Sequence, residues 1–195
     1  MKLLSEGAEA RIYMQEIFGE RVVVKERIKK EYRVASLDEK LRLARTKNEA
    51  RILYRAFKAG VKTPRLIGVG RFSIYMSYLE GKLLRDVKKS SYLLRQAGLL
   101  LAKMHNADIA HGDFTPANIV VSKNSVYVID FGLAEISKSI EEKAIDLLLM
   151  KRSLNEKQYK VLADSYAKAY KESSNIFRKL AEIEKRGRYQ IRTLA

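Results

Sequence analysis

Short apolar runs separated by turn residues dominate the chain as far as Glu80. Residues 10–14 and 21–25 are rich in β-branched and aromatic residues, and a Phe-Gly pair lies between them, so the pattern predicts a β-hairpin. From Leu37 to Lys58, apolar residues recur at roughly helical spacing among many charges, which predicts one long helix or two abutting helices. Two further short strands are expected before Gly81.

Helical patterns dominate the chain after Gly81. Residues 83–107 carry leucines, alanine and methionine on one face, which predicts an amphipathic helix. Two more helices are expected over 138–152 and 155–172, the second with Asn155 as its N-cap. Between the first and second of these three helices, N-I-V-V and V-Y-V-I-D predict a small hairpin.

The final segment begins as a helical pattern, and Gly187 is expected to end any helix there. The predicted fold class is therefore α+β, with two lobes in a single domain of residues 1–195. Residues 1–80 form a β-rich N-terminal lobe and residues 81–177 form a smaller helical C-terminal lobe. Residues 178–195 are expected to be a basic C-terminal tail.

The charge of the chain is far from balanced. Lys and Arg number 39 against 23 Asp and Glu, which gives a net charge of +16. Such a charge favours polyanionic partners such as RNA, and solubility alone is the alternative explanation. The absence of cysteine excludes disulfides, thiolate zinc sites and cysteine nucleophiles, and two histidines argue against a histidine metal site. No apolar stretch approaches about 18 residues, so we expect a cytoplasmic protein without a membrane partner.

The C-terminal segment 178–195 holds six cations and two glutamates, for a net charge of +4, with Tyr189 among them. Cations interleaved with an aromatic residue suit contacts with phosphates and occasional stacking on bases. A solvated end is the alternative. The candidate RNA-binding residues are Arg178, Lys179, Lys185, Arg186, Arg188 and Arg192.

The stretch His111 to Gly132 carries the clearest chemical signal. Asp113 and Asn118 lie close together in the sequence, so one loop can supply both a carboxylate that orients an attacking hydroxyl and an oxygen ligand for Mg²⁺. Asp130 comes later, directly after an apolar strand, and can hold Mg²⁺ against phosphates. The combination predicts phosphoryl transfer with Asp113 as the catalytic carboxylate and Asn118 and Asp130 as the metal ligands.

Phosphoryl transfer also requires a lysine on the phosphates and a glutamate that holds this lysine. Lys25 ends the run V-V-V-K, and Glu49 precedes an apolar run on the predicted helix. Glu39 is the rival of Glu49, which is favoured because Ala50 and its apolar neighbours are expected to face the core. The phosphate cover would be S-E-G-A-E-A around Gly7, which has one glycine where such loops usually have three.

The order of these residues resembles the eukaryotic-type protein kinase superfamily from residue 1 to about residue 152. More narrowly, G-A-E-A, V-V-V-K-E-R-I-K-K-E-Y-R, the E-A-R-I-L helix and H-G-D-F-T-P-A-N-I-V with the basic R-G-R-Y ending resemble one atypical family. This is the small kinase subunit of the KEOPS complex, of the archaeal, stand-alone type. The complex helps to make threonylcarbamoyl-adenosine in tRNA.

The resemblance implies ATP and Mg²⁺ as cofactors. It implies that Met76 lies behind the adenine and that the backbone of Ser77 and Leu79 bonds to it, with Asp146 bracing the catalytic loop. It further implies that the sugar-kinase-like subunit of KEOPS and the other subunits are partners, that ATP turnover supports tRNA modification, and that the chain has serine/threonine kinase activity.

Departures from the ordinary kinase pattern narrow the function. His111-Gly112-Asp113 lacks the arginine that pairs with a phosphorylated activation loop, so switching by loop phosphorylation is not expected. Thr115 stands where serine/threonine kinases usually place a lysine. The segment between Gly132 and Asp146 is short, which leaves no room for a peptide-docking platform. The acceptor must therefore be held by another protein, by RNA, or be water.

Three other functions remain open. A small-molecule phosphotransferase of the aminoglycoside type also uses an H-G-D loop, but it needs an acidic pocket in an extended C-terminal lobe. Kinases of the RIO type are a closer alternative. The third is a nucleotide-sensing, RNA-binding module without turnover.

Overall fold

The N-terminal lobe is a five-stranded antiparallel sheet crossed by one long helix. The computed structural model describes the backbone of residues 1–192 and the side chains of residues 1–186. The strands are β1 (Lys2–Glu6), β2 (Ala10–Ile17), β3 (Glu20–Arg27), β4 (Leu66–Val69) and β5 (Ser73–Ser77), in the spatial order β1-β2-β3-β5-β4. Helix α1 (Ala35–Lys58) is uninterrupted and buries Ile52, Leu53 and Ala56.

The C-terminal lobe packs four helices around two small sheets. The helices are α2 (Ser91–Asn106), α3 (Ile140–Ser153), α4 (Glu156–Ala169) and α5 (Ser173–Arg192). The strands are β6 (Lys82–Leu83), β7 (Ile109–Ala110), β8 (Ile119–Ser122), β9 (Ser125–Val128) and β10 (Glu135–Ile136). Strands β8 and β9 form a hairpin that β6 joins, and β10 pairs with β7.

One hydrophobic core joins the two lobes. Ile52 and Leu53 of α1 belong to the same buried cluster as Leu101 of α2 and Leu147 of α3. Because α1 and the C-terminal helices share this core, the cleft between the sheet and β8–β9 has a fixed floor. None of the helices in the described part of the chain is long and apolar enough to cross a membrane.

Both predicted hairpins are confirmed, as β2–β3 and β8–β9. Helix α1 is the single long helix of the two forms expected, and Asn155 is the N-cap of α4. Asn155 makes a full capping box, because its side chain accepts from Gln158 N and its own amide donates to the Gln158 side chain. Strand β1 was not predicted. Its five residues are all exposed, so it lies at the sheet edge without an alternating pattern.

Two helix boundaries predicted from the sequence are wrong. The helix expected from residue 83 begins at Ser91, because residues 82–86 form β6 and a 3-10 turn and Ser90 caps α2 through Leu93 N. The expected break at Gly187 does not occur, since α5 continues to Arg192. Residues 178–192 therefore extend a helix of the C-terminal lobe, and its buried Leu180 joins the core.

Helices α2 and α4 approach closely at Gly98. A Cβ there would lie 2.2 Å from Ser165 Oγ and 2.4 Å from Leu162 O. We expect Gly98→Ala to lower the free energy of unfolding by about 1–3 kcal/mol in urea denaturation, because the helices must separate. Gly68→Ala is the control, since a Cβ there meets only ordinary contacts from 3.9 Å. Equal stabilities of the Gly98 variant and wild type would contradict this packing.

Candidate active site

Three charged side chains from separate parts of the chain meet at the back of the cleft. Lys25 Nζ, on β3, lies 2.6 Å from Glu49 Oε1 on α1 and 2.7 Å from Asp130 Oδ1. Lys25 and Glu49 are buried, whereas the Asp130 side chain is half exposed. Glu39, the rival of Glu49, lies at the surface and pairs with Arg71. The lysine is therefore held between two carboxylates.

Arg27 is a second buried cation on the same carboxylate, and it was not predicted from the sequence. Its Nη2 lies 2.5 Å from Glu49 Oε2, and both side chains are almost fully buried. Residues two apart on a strand point to one face, so Arg27 follows Lys25 toward α1. The alternation K-E-R after V-V-V was the signal that could have found it. The two oxygens of Glu49 thus serve one cation each.

Asp130 has an unusual backbone conformation. Its φ is +60°, in the left-handed region, which places its carboxylate beside Lys25. Burial by itself would raise the pKa of this carboxyl, but the charge of Lys25 and the hydrogen bond from it outweigh burial, so the pKa is lowered. Gly132 N also donates to Asp130 Oδ1, at 3.1 Å. The group is therefore an anion facing the cleft.

Gly132 leaves room for this cluster. A Cβ at that position would lie 3.0 Å from Asp130 Oδ1 and 3.3 Å from Lys25 Nζ. A side chain there would push apart the ion pair.

The catalytic-type loop brings Asp113 and Asn118 into contact. Asn118 Nδ2 donates to Asp113 Oδ2 at 2.7 Å and to Asp113 O at 2.9 Å. Because the amide nitrogen is used in this way, the amide oxygen of Asn118 faces away from Asp113 and is available to a cation. The second carboxylate oxygen of Asp113 has no partner among the residues that the structure describes.

Asp146 on α3 holds this loop from below. Its carboxylate accepts from His111 N at 2.7 Å and from Gly112 N at 2.9 Å. Gly112 has a φ of +77°, and a Cβ would lie 2.5 Å from Leu133 O, so only glycine fits. Asp146 also contacts His105 Nε2 at 3.2 Å, which connects the loop to helix α2.

His105 is fully buried between Asp146 and Tyr166. Its Nδ1 lies 2.7 Å from the Tyr166 hydroxyl, which suits a neutral ring that accepts there and donates from Nε2 to Asp146. Burial lowers the pKa of His105, and it outweighs the opposing effect of Asp146. The ring is thus neutral near pH 7 although it touches a carboxylate.

A cavity of about 260 Å³ lies between the lobes beside these charges. Met76, Ser77 and Leu79 line one wall, and Lys25, Glu49, Asn118 and Asp130 line another. Its apolar lining residues, which the sequence analysis did not name, are Leu4, Ile12, Val23, Leu53, Pro64, Val120, Ile129 and Phe131. Asp113 and Gly7 are not among the lining residues, although Asn118 joins Asp113 to the cavity.

The wall formed by residues 76–79 has a free hydrogen-bond donor. Ser77 N donates to Arg65 O and Tyr78 N donates to Arg21 O, at 2.9 and 3.1 Å. Leu79 N has no acceptor among the described residues. An unpaired amide in an apolar slot suits a flat heteroaromatic ligand.

The turn that contains Gly7 is held from outside the cavity. Glu9 Oε2 lies 2.6 Å from Arg45 Nη1 of α1, and Lys30 Nζ donates to Ala8 O. Gly7 N donates to Ala10 O at 3.0 Å, which closes the turn. These contacts tie a turn with a single glycine to the helix that carries Glu49.

The predicted RNA-binding cations lie on α5. Arg178 donates to Asn175, Lys179 pairs with Glu182, and Arg186 lies 3.4 Å from Glu141. Lys185 is exposed. The side chains of Arg188 and Arg192 lie outside the described residues.

Comparison with known proteins identifies the family. A family model described as the RIO domain matches residues 15–151. The KEOPS complex subunit Bud32 of Pyrococcus abyssi is 39% identical over 99% of this chain and 98% of its own length. The chain belongs to the Bud32 family of RIO-domain proteins. The resemblance noted in the sequence, to the small atypical kinase subunit, is confirmed.

Two further relatives agree with this assignment. A probable serine/threonine-protein kinase BUD32 homolog of Archaeoglobus fulgidus is 38% identical over 94% of each chain. A probable bifunctional tRNA threonylcarbamoyladenosine biosynthesis protein of Methanobrevibacter smithii is 40% identical over 96% of this chain. This chain spans only 36% of the length of that bifunctional protein.

Solved structures confirm the kinase-like fold. The Rio2 kinase from Chaetomium thermophilum has a TM-score of 0.67 at 17% identity, covering 96% of this chain and 73% of its own. Its complex with ADP/Mg²⁺ and phosphoaspartate has a TM-score of 0.64 at 17% identity, covering 97% of this chain and 72% of its own. The predicted α+β, two-lobed fold with a reduced helical lobe is correct.

We expect Arg27→Met to lower the free energy of unfolding by about 1–3 kcal/mol, because it leaves one oxygen of buried Glu49 without a donor while Lys25 still pairs with the other oxygen. Chemical denaturation measures the change. Arg65→Met is the matched control, since Arg65 pairs with Glu20 at 3.2 Å at the surface, where such a pair contributes at most about 1 kcal/mol. Similar losses in the two variants would contradict a structural role for the buried pair.

Stability should fall as the pH is lowered from 7 to 5. Because the pKa of His105 is lowered in the folded state, the unfolded chain binds the proton first. The stabilisation is complete above the unfolded pKa near 6.5 and is lost as the pH falls below it. Urea midpoints measured across this range should decline less for His105→Gln than for wild type. Parallel declines would show that another group is responsible.

Proposed function

We propose that this chain is an ATP- and Mg²⁺-dependent phosphotransferase, of the atypical serine/threonine kinase type, or an ATPase. It acts as a single kinase-like domain, as a subunit of a complex that makes threonylcarbamoyl-adenosine in tRNA. The observation that carries the proposal is the convergence of Lys25, Glu49, Asn118 and Asp130 on one interlobe cavity, with Asp113 hydrogen-bonded to Asn118 at its edge.

Each residue has a proposed role. Lys25, held by Glu49, binds the α- and β-phosphates of ATP under the turn at Gly7. Met76 lies behind the adenine, whose edge bonds to the backbone of Ser77 and Leu79. Asp113 orients the acceptor oxygen and takes its proton as this oxygen bonds to the γ-phosphorus and the bond to the bridging oxygen breaks, which releases ADP.

The donors at the cavity suit Mg²⁺. Asn118 and Asp130 offer an amide oxygen and a carboxylate, the hard oxygen ligands that this ion prefers. When bound, Mg²⁺ neutralises charge on the transferred phosphate. Asp130 must turn from Lys25 to the metal, and its half-exposed side chain gives it room to do so. The Rio2 kinase, solved with ADP/Mg²⁺, supports the same cofactors by analogy of fold.

The acceptor is either presented by another molecule or is water. Helix α3 begins at Ile140, so only residues 133–139 lie where kinases carry a long substrate-docking segment. Two acceptors fit this opening: a serine or threonine presented by a partner protein, which makes the chain a kinase, and water, which makes it an ATPase.

The names of the relatives suggest the complex in which this chain acts. The Pyrococcus protein is named as a KEOPS subunit and the Methanobrevibacter protein as a threonylcarbamoyladenosine biosynthesis protein. We therefore propose the sugar-kinase-like subunit and the other KEOPS subunits as partners. Transfer RNA would contact the basic surface of the chain and the cations of its C-terminal segment 178–195. Within the proposed kinase, Asp146 would hold the catalytic loop in place through its hydrogen bonds from His111 N and Gly112 N.

Asp130→Ala should abolish turnover of γ-labelled ATP with Mg²⁺, with a loss of at least about a hundredfold, because the metal loses its carboxylate ligand. Asp113→Ala should do the same. Both are measured with and without tRNA and the partner subunit. Asp86→Ala is the control, because Asp86 is an exposed carboxylate away from the cavity.

The fate of the label decides between the two reactions. Label on serine or threonine supports a kinase, and free phosphate produced only with the partner supports an ATPase. Unchanged turnover in Asp130→Ala would overturn the metal assignment. No turnover in any mixture would favour a nucleotide-sensing module.

A further inference from the structure

The outward face of α1 carries a row of cations. Residues spaced at 3, 4, 7, 11 and 18 along a helix lie on one side. Six exposed residues of α1 lie at this spacing: Lys40, Lys47, Arg51, Tyr54, Arg55 and Lys58. We call these six residues the α1 stripe. At about 1.5 Å per residue it is about 27 Å long, enough to meet several successive phosphates of a nucleic acid.

No carboxylate of α1 neutralises the stripe. Asp38 and Glu49 are buried and paired with arginines, and Glu39 pairs with Arg71. The five cations of the stripe form no ion pair among the described residues, although Arg51 donates to Asn48 and Arg55 to Ala107 O. Apart from these two hydrogen-bonded arginines, the charges of the stripe face solvent without a partner among the described residues.

The stripe borders the opening of the active site. Asn48, beside it on α1, donates to Ala134 O, two residues after Gly132. Nearer the C-terminal end of the stripe, Arg55 bonds to the residue that follows α2. A polyanion on the stripe would thus lie on the N-terminal lobe, next to the C-terminal lobe and to the segment where a peptide would otherwise dock.

The composition favours RNA over an acidic protein. Lysine is depleted at protein interfaces, whereas a row of Lys and Arg suits a phosphate backbone. Tyr54 lies within the stripe with 54% of its surface exposed, and a tyrosine ring among cations is suited to stack on an unpaired base.

We propose that the α1 stripe binds the phosphate backbone of an RNA, separately from the cations of α5. This surface extends the tRNA part of the proposed function and does not require phosphoryl transfer. It is tested without ATP, so failure of the proposed catalytic activity and failure of this proposal give different results.

The test compares the full chain with a variant that carries Lys40→Gln, Lys47→Gln, Arg51→Gln and Lys58→Gln. Arg55 is kept because it bonds to Ala107 O. The matched control carries Lys157→Gln, Lys160→Gln, Lys168→Gln and Lys171→Gln, which are also exposed and lie on or just after α4 near Asp164. The two variants have the same net charge. The probe is a fluorescently labelled transfer RNA transcript, titrated at several salt concentrations.

We expect the stripe variant to bind the transcript at least about tenfold more weakly near 0.1 M salt, with the slope of log affinity against log salt smaller by about two to four. The control should change affinity by less than about twofold. Tyr54→Ala should weaken binding without changing the slope, because stacking releases no counterions. Melting temperatures check that each variant is folded.

Two outcomes would overturn the proposal. Equal losses in the stripe variant and the control would mean that only total charge matters. Unchanged RNA binding together with lost binding to the purified sugar-kinase-like subunit would mean that α1 is a protein interface.

Discussion

The buried carboxylate of Glu49 connects the parts of this protein that its site depends on. One oxygen receives Lys25 and the other receives Arg27, both from β3, while Glu49 itself comes from α1. A buried charge is tolerated only when it is paired and hydrogen-bonded, so the helix cannot move away without leaving charges unpaired. In protein kinases the position of this helix controls activity. Here a second cation on the glutamate opposes its movement.

Below the cleft, a second buried carboxylate fixes the loop that carries Asp113. Asp146 accepts three hydrogen bonds, two from the loop that carries Asp113 and one from His105 of α2. The loop is therefore fixed by the helices beneath it rather than by a phosphorylated segment above it. With both lobes braced internally, the short stretch before α3 leaves the opening accessible. This arrangement leaves no part of the described chain in the place of a long substrate-docking segment.

The cations of this basic chain have different structural roles. Some cations are buried in ion pairs, as Lys25 and Arg27 are with Glu49. Others pair with carboxylates at the surface, as Arg186 does with Glu141. The α1 stripe gathers cations without a carboxylate partner among the described residues on one side of a single helix. Two basic surfaces on different lobes, on α1 and on α5, would allow one RNA to be held at two places.

Local patterns in the sequence determined much of this protein. The order of Lys25, Glu49, Asp113, Asn118 and Asp130 predicted a site for phosphoryl transfer, and this chemistry stays a prediction. The loop and strand that carry the last three residues are short and local. Asn155 predicted a helix start, since a capping box involves only neighbouring residues. Hydrophobic periodicity, which is also read over short stretches, predicted the hairpin of β2 and β3. The succession of strand and helix patterns along the chain predicted the two-lobed α+β fold.

Contacts between distant residues decided the rest. The edge strand β1 has no pattern of its own and exists because β2 offers it a partner. Gly187 does not end α5: the helix continues through it, and a glycine costs only about 1 kcal/mol in a helix whose other residues, such as Leu180, are buried against the core. The capture of Glu49 by Arg27 depended on the sheet and α1 meeting, which no spacing along the chain specifies. Tertiary packing determines such pairs because burial, rather than sequence distance, sets how strongly charges must be matched.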